Sequence, residues 1–393
     1  MQGPKRQKYS SDLRAFALTL NFYSSKAYEY VRTKFNNSLP HRRTIAKWYS
    51  SVNGEPGYTS EAINALKIQV AEQNKKQQKL ICNFVFDEMA IRKQTEWTGQ
   101  KFTGYVDLGT NIASDSLPEA KEALVYMLVA LNAHWKLPFA YFLINSLTAT
   151  EKAQLVNNAL EFLTESGVIV SSLTFDGTAT NLNMATILGA KLDNPSNLQT
   201  FFMHPLLQQK IYLYLDACHM LKLLRNCLAS QGRLIDKDGR VILWEYFEKL
   251  VNLQATEGLH AATKIRKRHI DWTREKMKVK VAAQTFSNSV ADAFIFLEED
   301  IQHPDFRGVS ATANFCRVIN NLFDILNVRN FASTAQYRKP LTPKNCHFVF
   351  EYLNFCKEYI IGIRLKDVPI LQTHRKTGFL GFLICINSLI NMY

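Results

Sequence analysis

LICNFVFDEMAIRK, residues 80–93, is an apolar, β-rich run that closes on two acids, Asp87 and Glu88. An acid at the end of such a run is costly unless a cation or a hydrogen-bond donor satisfies it. Outward from it, TEWTGQKFTGYVDLG (95–109) carries turn signals at Gly99 and Gly104 and reads as a hairpin. EALVYMLVALNAHWKLPFAYFLI (122–144) gives two strands around His134, Trp135 and Lys136. TATEKAQLVNNALEFLTESG (148–167) has the period of an amphipathic helix ended by Gly167. It leads into VIVSSLTFDG (168–177), a buried strand that ends on Asp176.

The order is strand, two further strands, helix, strand. That is the RNase-H-like arrangement: three antiparallel strands, then a helix crossing to a parallel fourth. The first and fourth strands lie side by side in it, so Asp87 and Asp176 are expected to be neighbours. Two hard divalent cations held by carboxylate oxygens, about 3.5–4 Å apart, activate a water or 3′-hydroxyl and stabilise the leaving oxygen. The plainer reading makes both acids loop-entry residues, Asp176 being the Asp of an Asp-Gly turn. The pattern by itself leaves both open.

The chain of 393 residues is 47% hydrophobic and 12% aromatic, enough for a buried core and against general disorder. A formal net charge of +13 favours a polyanionic partner, nucleic acid or an anionic membrane surface. No apolar stretch of about 18 residues is free of interruption, so no membrane span is expected. The opening MQGPKRQKYS has no secretory pattern. The seven cysteines are scattered without a CxxC pair, which fits buried apolar residues in a reducing compartment better than disulfides or zinc.

Residues 1–53 hold ten Lys/Arg against two Asp/Glu, so most of the excess charge lies there. The segment reads as three short helices. The first is capped by Ser10 or Ser11 and carries Leu13, Phe16, Ala17 and Leu20 on one face. The second starts near Ser24 and Ser25 and carries Ala27, Tyr28, Val31 and Phe35. The third, His41 to Ser51, turns Ile45 and Trp48 inward and leaves Arg42, Arg43 and Lys47 outward. This fits a helix-turn-helix with the third helix on DNA; a small bundle with a solvated basic face is the competing reading. From Thr59 to Leu80 the pattern is one polar helix, a connector or short coiled-coil arm.

QQKIYLYLDACHMLKLLRN (208–226) reads as a strand turning into a helix, with Asp216 at the switch, where a helix N-cap is the plain role. No GxxxxGK[ST] loop is present. Residues 232–335 read as mainly helical. KIRKRHIDWTREKMKVK (264–280), with eight basic and two acidic residues, is either a phosphate-binding segment or a solvated face. Glu298, Glu299 and Asp300 point in different directions on a helix and read as surface. Residues 342–365 and 377–393 read as two apolar helices.

YSSDLRAFALTLNFYSSKAYEYVRTKFNNSLPHRRTIAKWYSSVNGEPG (9–57) resembles the helix-turn-helix that precedes the catalytic core of P-element-type transposases and their THAP-domain relatives. NFVFDEMAIRK, LTFDGTATN, YLDACHMLKLLRN and KTGFLGFLI are similar to that family's core motifs, in the same order. The resemblance implies an α/β (α+β) protein: an RNase-H-like, retroviral-integrase-type core with an N-terminal helix-turn-helix and a mainly helical GTP-binding insertion. It implies boundaries at 1–58 for the helix-turn-helix, 59–79 for the connector, 80–215 for the first part of the core, 216–335 for the insertion and 336–393 for the rest of the core. Asp87 and Asp176 correspond to the first and second catalytic acids and metal ligands, with Mg²⁺ or Mn²⁺ as the ion. GTP is implied as an assembly cofactor, not as fuel. Asp216 and Lys222 match positions associated with the GTP domain. A carboxylate suits the N1 and N2 edge of guanine, and Lys222 suits a phosphate. Asn288 is a further candidate ligand for nucleotide phosphate or metal.

Two departures bear on these expectations. No residues match the zinc ligands of a THAP module. The third acid should be a Glu after KTGFLGFLI, yet the last Glu is Glu358 and the sequence ends at Tyr393. The expected triad is therefore incomplete, with Phe379, Phe382 and Leu383 under-covered. The implied partners are double-stranded DNA at transposon ends and GTP, with a homo-oligomer left open, no membrane, and the nucleus as compartment. Two functions compete: a P-element-like transposase or its inactive remnant, and a domesticated DNA- and GTP-binding protein without strand chemistry. An RNA-directed nuclease on the same fold has less support, because a helix-turn-helix favours duplex DNA.

Overall fold

Ser10 and Ser24 each turn a hydroxyl onto a backbone N–H three residues on, the capping that starts a helix. They open α1 (Ser11–Tyr23) and α2 (Ser25–Lys34), and His41 caps α3 (Arg42–Tyr49). The computed structural model describes residues 9–50, 53–99, 101–109, 117–258, 261–262, 264–328 and 332–393. The three helices close on their own small core of Ala17, Tyr28, Leu39 and Ile45, with Trp48 at its edge. The Tyr28 hydroxyl donates to the Pro40 carbonyl at 2.5 Å, which ties α2 to the turn before α3. Phe16 and Phe35, expected on the inward faces, are instead 51% and 63% exposed. Tyr28 fills the centre of this small core and Trp48 packs at its edge.

The main body is a seven-stranded sheet. Its elements in chain order are β1 (Gly57–Tyr58), α4 (Ser60–Lys75), β2 (Ile81–Ala90), the hairpin β3 (Glu96–Trp97) and β4 (Phe102–Thr103), β5 (Glu122–Ala130) and β6 (Lys136–Ile144). There follow α5 (Ala149–Thr164), β7 (Ile169–Phe175), α6 (Ala179–Leu188), β8 (Phe201–Met203), β9 (Lys210–Leu215) and α7 (Ala217–Gln231). The strand order is β1-β6-β5-β2-β7-β9-β8. β2, β5 and β6 are antiparallel, β7 joins β2 in parallel, and β9 joins β7 in parallel. Gly104 closes the β3–β4 region at φ +99°, where a Cβ would lie 2.0 Å from the Gln94 carbonyl oxygen. The helix at 60–75 is no free arm. Ala62, Ile63 and Leu66 are buried in the main core, so it is a packed layer of the sheet domain.

β10 (Arg233–Ile235) and β11 (Val241–Leu243) form a hairpin that leads into a helical region. It comprises α8 (Glu245–Glu257), α9 (Lys267–Ile270), α10 (Val279–Thr285), α11 (Asn288–Ile295) and α12 (Ser310–Leu326). The chain returns through α13 (Cys346–Ile361) and α14 (Thr377–Met392). Arg225 on α7 is fully buried and donates to the Glu275 and Lys276 carbonyls at 2.8 and 3.3 Å. The run 264–280 is therefore tied to α7 through its backbone, while its eight Lys and Arg side chains are all exposed. None of the seven cysteines is in a disulfide. No helix among the described residues is long and apolar enough to cross a membrane.

The two glycines of KTGFLGFLI explain how α14 seats itself. A Cβ on Gly381 would lie 2.1 Å from Met220 Sδ, and one on Gly378 would lie 2.5 Å from Leu224 Cδ1. Any larger residue at either position would have to displace Met220 or Leu224 for α14 to sit this close to α7. Phe379, Phe382 and Leu383 are fully buried there, which corrects the expectation that they are under-covered. Gly378 and Gly381 face α7, and Cys385 and Ser388 face β9, elements that come earlier in the chain. Truncating Phe382 to Ala should thus destabilise the protein by about 3–5 kcal/mol, against about 0.5 kcal/mol or less for Phe16→Ala. Denaturant unfolding of both variants checks this; equal effects would contradict the packing of α14.

Candidate functional site at the strand ends

β2 alternates Cys82, Phe84 and Phe86 into the core, so Asn83, Val85 and Asp87 share the other face. β7 is fixed against it by register: Asn83 faces Ser172 and Val85 faces Thr174. Two residues on, Asp87 comes beside Asp176. Phe86 and Phe175 stack at 5.6 Å on the opposite face and hold the two strand ends together. The Asn83 side chain donates to Thr174 Oγ1 at 3.0 Å and accepts from Ser172 Oγ at 2.9 Å. This polar ladder leads along the face towards the acids.

A third acid arrives from β9. Phe175 pairs with Leu215, and the Asp216 N–H donates to the Phe175 carbonyl at 2.9 Å. Asp216 therefore follows Asp176 in register; the two stand just past the carboxyl ends of β7 and β9, and Asp87 lies beside them within β2, which runs on to Ala90. The sequence placed Asp216 at a strand-to-helix switch, and the resemblance made it a GTP-domain position, not a neighbour of Asp176. Its position beside Asp176 depends on which strands pair, and no local signal carries that. The Asp216 carboxylate caps α7, accepting from the Cys218 and His219 N–H groups at 2.9 and 3.2 Å.

The two family acids are each held through one oxygen. Asp87 Oδ1 accepts the Glu88 N–H at 2.9 Å. Asp176 Oδ1 accepts the Thr178 N–H at 3.2 Å and the Asn181 amide at 2.6 Å. Partial desolvation pushes the Asp87 carboxyl above its ordinary value, the Glu88 N–H opposes this, and the charges of Asp176 and Asp216 add to it. Carboxylate oxygens are the donors that hard cations take, and a mutually repelling pair is what such an ion relieves. Among the described residues no group of three His, Cys, Asp or Glu side chains is arranged to hold a metal ion. Sequence reading missed Lys152, whose ammonium donates to Asn181 Oδ1 at 2.8 Å and pairs with Glu88. A lysine in an amphipathic helix reads as solvated, so nothing marked it.

The remaining candidates lie elsewhere. Lys222 is half-buried on α7, six residues beyond Asp216, so the two side chains leave the helix about 120° apart. Asn288 starts α11 and donates to Asn321 on α12 at 3.1 Å. Arg42, Arg43 and Lys47 are exposed on α3. A cavity of about 320 Å³ lies between α7, the 264–280 segment and the start of α14, lined by Asn226, Trp272, Lys276, His374, Arg375 and Thr377 among others. Thr377 also packs on Gly177, where a Cβ would lie 2.8 Å from its Cγ2, so this basic cavity adjoins the strand end that carries Asp176.

Residues 54–189 match the family described as TNP-like, RNase H N-terminal domain. Residues 218–340 match the TNP-like, GTP-binding insertion domain, and residues 1–48 the transposable element P transposase-like HTH domain. The human protein named DNA transposase THAP9 is 32% identical over 393 residues, 98% of this chain and 42% of that protein. The Drosophila melanogaster transposable element P transposase is 27% identical over 330 residues, 83% of this chain and 40% of that protein. The chain thus spans about two fifths of the length of these relatives. The solved Drosophila P element transposase strand transfer complex shares the fold, with a TM-score of 0.75 at 23% identity over 99% of this chain and 80% of that one.

The raised carboxyl of Asp87 has a consequence for stability. A folded-state value above the unfolded one means that the fold favours the protonated form, so the charged form detracts from stability as pH rises through that window. Asp87→Asn should therefore raise the melting temperature at about pH 7 without divalent cations, with a gain that shrinks towards about pH 4. Thermal melts at the two pH values check this; a lower melting temperature in the variant at both would contradict it.

Proposed function

Since the chain belongs to the P-element-type transposase family, with RNase-H-like and GTP-binding insertion domains, we propose that it binds DNA and that Asp87 and Asp176 hold a hard divalent cation, Mg²⁺ or Mn²⁺, for DNA strand cleavage and transfer. The observation that carries this reading is the register that sets the two acids on adjacent parallel strand ends. A bound cation of this kind activates an attacking water or hydroxyl and stabilises the leaving oxygen. The chain's own residues present carboxylate oxygens and fix them through the Glu88, Thr178 and Asn181 N–H groups, and the cavity beyond Thr377 carries cationic Lys276 and Arg375 for a phosphate backbone. Acting on chromosomal DNA, the protein works in the nucleus.

Exposed Arg42, Arg43 and Lys47 on the third helix support contact with duplex DNA. For GTP, Asp216, Lys222 and Asn288 are our candidates. Asp216 retains lone pairs beyond the two that cap α7, and a nucleotide is long enough to reach from it to Lys222. A second reading is a DNA- and GTP-binding protein without strand chemistry, in which Asp216 serves the α7 cap and the nucleotide and not a metal ion.

A Mg²⁺- or Mn²⁺-dependent nicking assay on terminal-repeat DNA tests the first reading. Asp87→Ala and Asp176→Ala should each reduce cleavage to background, and unchanged cleavage in either would remove the assignment. DNA binding in the absence of nicking by the unaltered chain would favour the second reading. Replacing Arg42, Arg43 and Lys47 together by Ala should weaken DNA binding and flatten the slope of log affinity against log salt by up to about 3. An unaltered slope would place the DNA elsewhere. GTP binding unaffected by Asp216→Ala would withdraw the guanine-reading role.

A further inference from the structure

Both acids keep one oxygen in hand. Oδ1 of Asp87 and of Asp176 is engaged by protein donors, whereas among the described residues neither Oδ2 accepts a hydrogen bond. For Asp176 this depends on which way the Asn181 amide faces. Its nitrogen must point at the carboxylate, because its oxygen there would meet a like charge. The amide's other end settles the matter. Lys152 donates to Asn181 Oδ1 at 2.8 Å, and an ammonium, having only donors, can meet only the oxygen of an amide.

Lys152 is itself locked. Its side chain is 5% exposed on α5, and it pairs with Glu88, 26% exposed, the residue next to Asp87 on β2. Strand alternation sends Asp87 to the site face and Glu88 to the helix face. A continuous chain of contacts, Glu88 to Lys152 to Asn181 to Asp176, therefore links the two strand ends behind the site, through α5 and the first turn of α6. A buried charge on one helix with two polar partners on two other elements is more than packing requires of that position.

We infer that Lys152 is a positioning residue for the metal-binding acids: through Asn181 it holds the Asp176 carboxylate with Oδ2 presented to the cation, and through Glu88 it couples that orientation to the strand end bearing Asp87. This rests on the reading that Asp87 and Asp176 hold a divalent cation. Metal-ligand support of this kind is worth about 10–100-fold in affinity.

The test uses the full 393-residue chain and Mn²⁺ alone, with free Mn²⁺ followed by electron paramagnetic resonance and folding by circular dichroism and thermal melts. Three variants are compared: the volume-conserving double change Glu88→Gln with Lys152→Met, the single change Asn181→Leu, and Asp87→Asn. The expected result is that the first two remain folded and bind Mn²⁺ about 10–100-fold more weakly, while Asp87→Asn abolishes binding. Wild-type Mn²⁺ affinity in either folded relay variant, with binding lost in Asp87→Asn, overturns the positioning role and leaves the two-acid reading standing. Wild-type affinity in Asp87→Asn overturns the two-acid reading itself. Should the double variant not fold, Asn181→Leu decides alone, since it leaves the Lys152–Glu88 pair intact.

Discussion

The parallel pairing of β2 with β7 is the constraint on which the site depends. These strands are far apart in sequence and joined through two antiparallel strands and a helix, yet their ends carry the two acids. The register is fixed from both faces. Phe86 stacks on Phe175 in the core, and Asn83 is held by Ser172 and Thr174 on the other face. A slip of one residue would turn Asp176 into the core and bring Phe175 out to the site face, which both faces resist. The position of the acids is thus a by-product of burying aromatic rings.

The same logic brings in the third acid and the closing helix. β9 pairs with β7 in parallel and sets Asp216 beside Asp176. α14 then covers β9 and α7, which it approaches only because Gly378 and Gly381 lack side chains, and Gly177 leaves room for Thr377 beside Asp176. Three like charges collected at one edge are unfavourable on their own. The fold tolerates them by giving Asp216 to a helix cap, tying one oxygen of each other acid to an N–H group, and leaving the remainder for a cation to offset.

Much of this was legible in the sequence, and the exceptions share a cause. Each core strand is a β-rich run bounded by turn residues, so the order of strands and the RNase-H-like class could be read directly. Asp87 and Asp176 ended two of those runs, and the pairing of first with fourth strand followed from topology. Asp216 stood out as a switch residue and, by resemblance, as a GTP-domain position, but not as a neighbour of Asp176, since that depends on β9 choosing β7 after an excursion through α6 and β8. Lys152 was invisible because helical period makes a lysine look solvated, whereas here it is buried against Glu88 and Asn181. Phe16 and Phe35 misled in the other direction: periodicity gives a face, but the small core is filled by Tyr28 with Trp48 at its edge and leaves both rings exposed. Phe379, Phe382 and Leu383 were misjudged for want of knowing how α14 packs into the body of the protein.

The central claim, that Asp87 and Asp176 jointly hold a divalent cation at the ends of paired parallel strands, is most directly tested by anomalous diffraction from crystals of the chain soaked in Mn²⁺. The account predicts an anomalous peak within coordination distance of Oδ2 of both acids, about 2.0–2.3 Å, and its loss in Asp176→Asn crystals. A peak bound elsewhere, or one that persists in that variant, would contradict it.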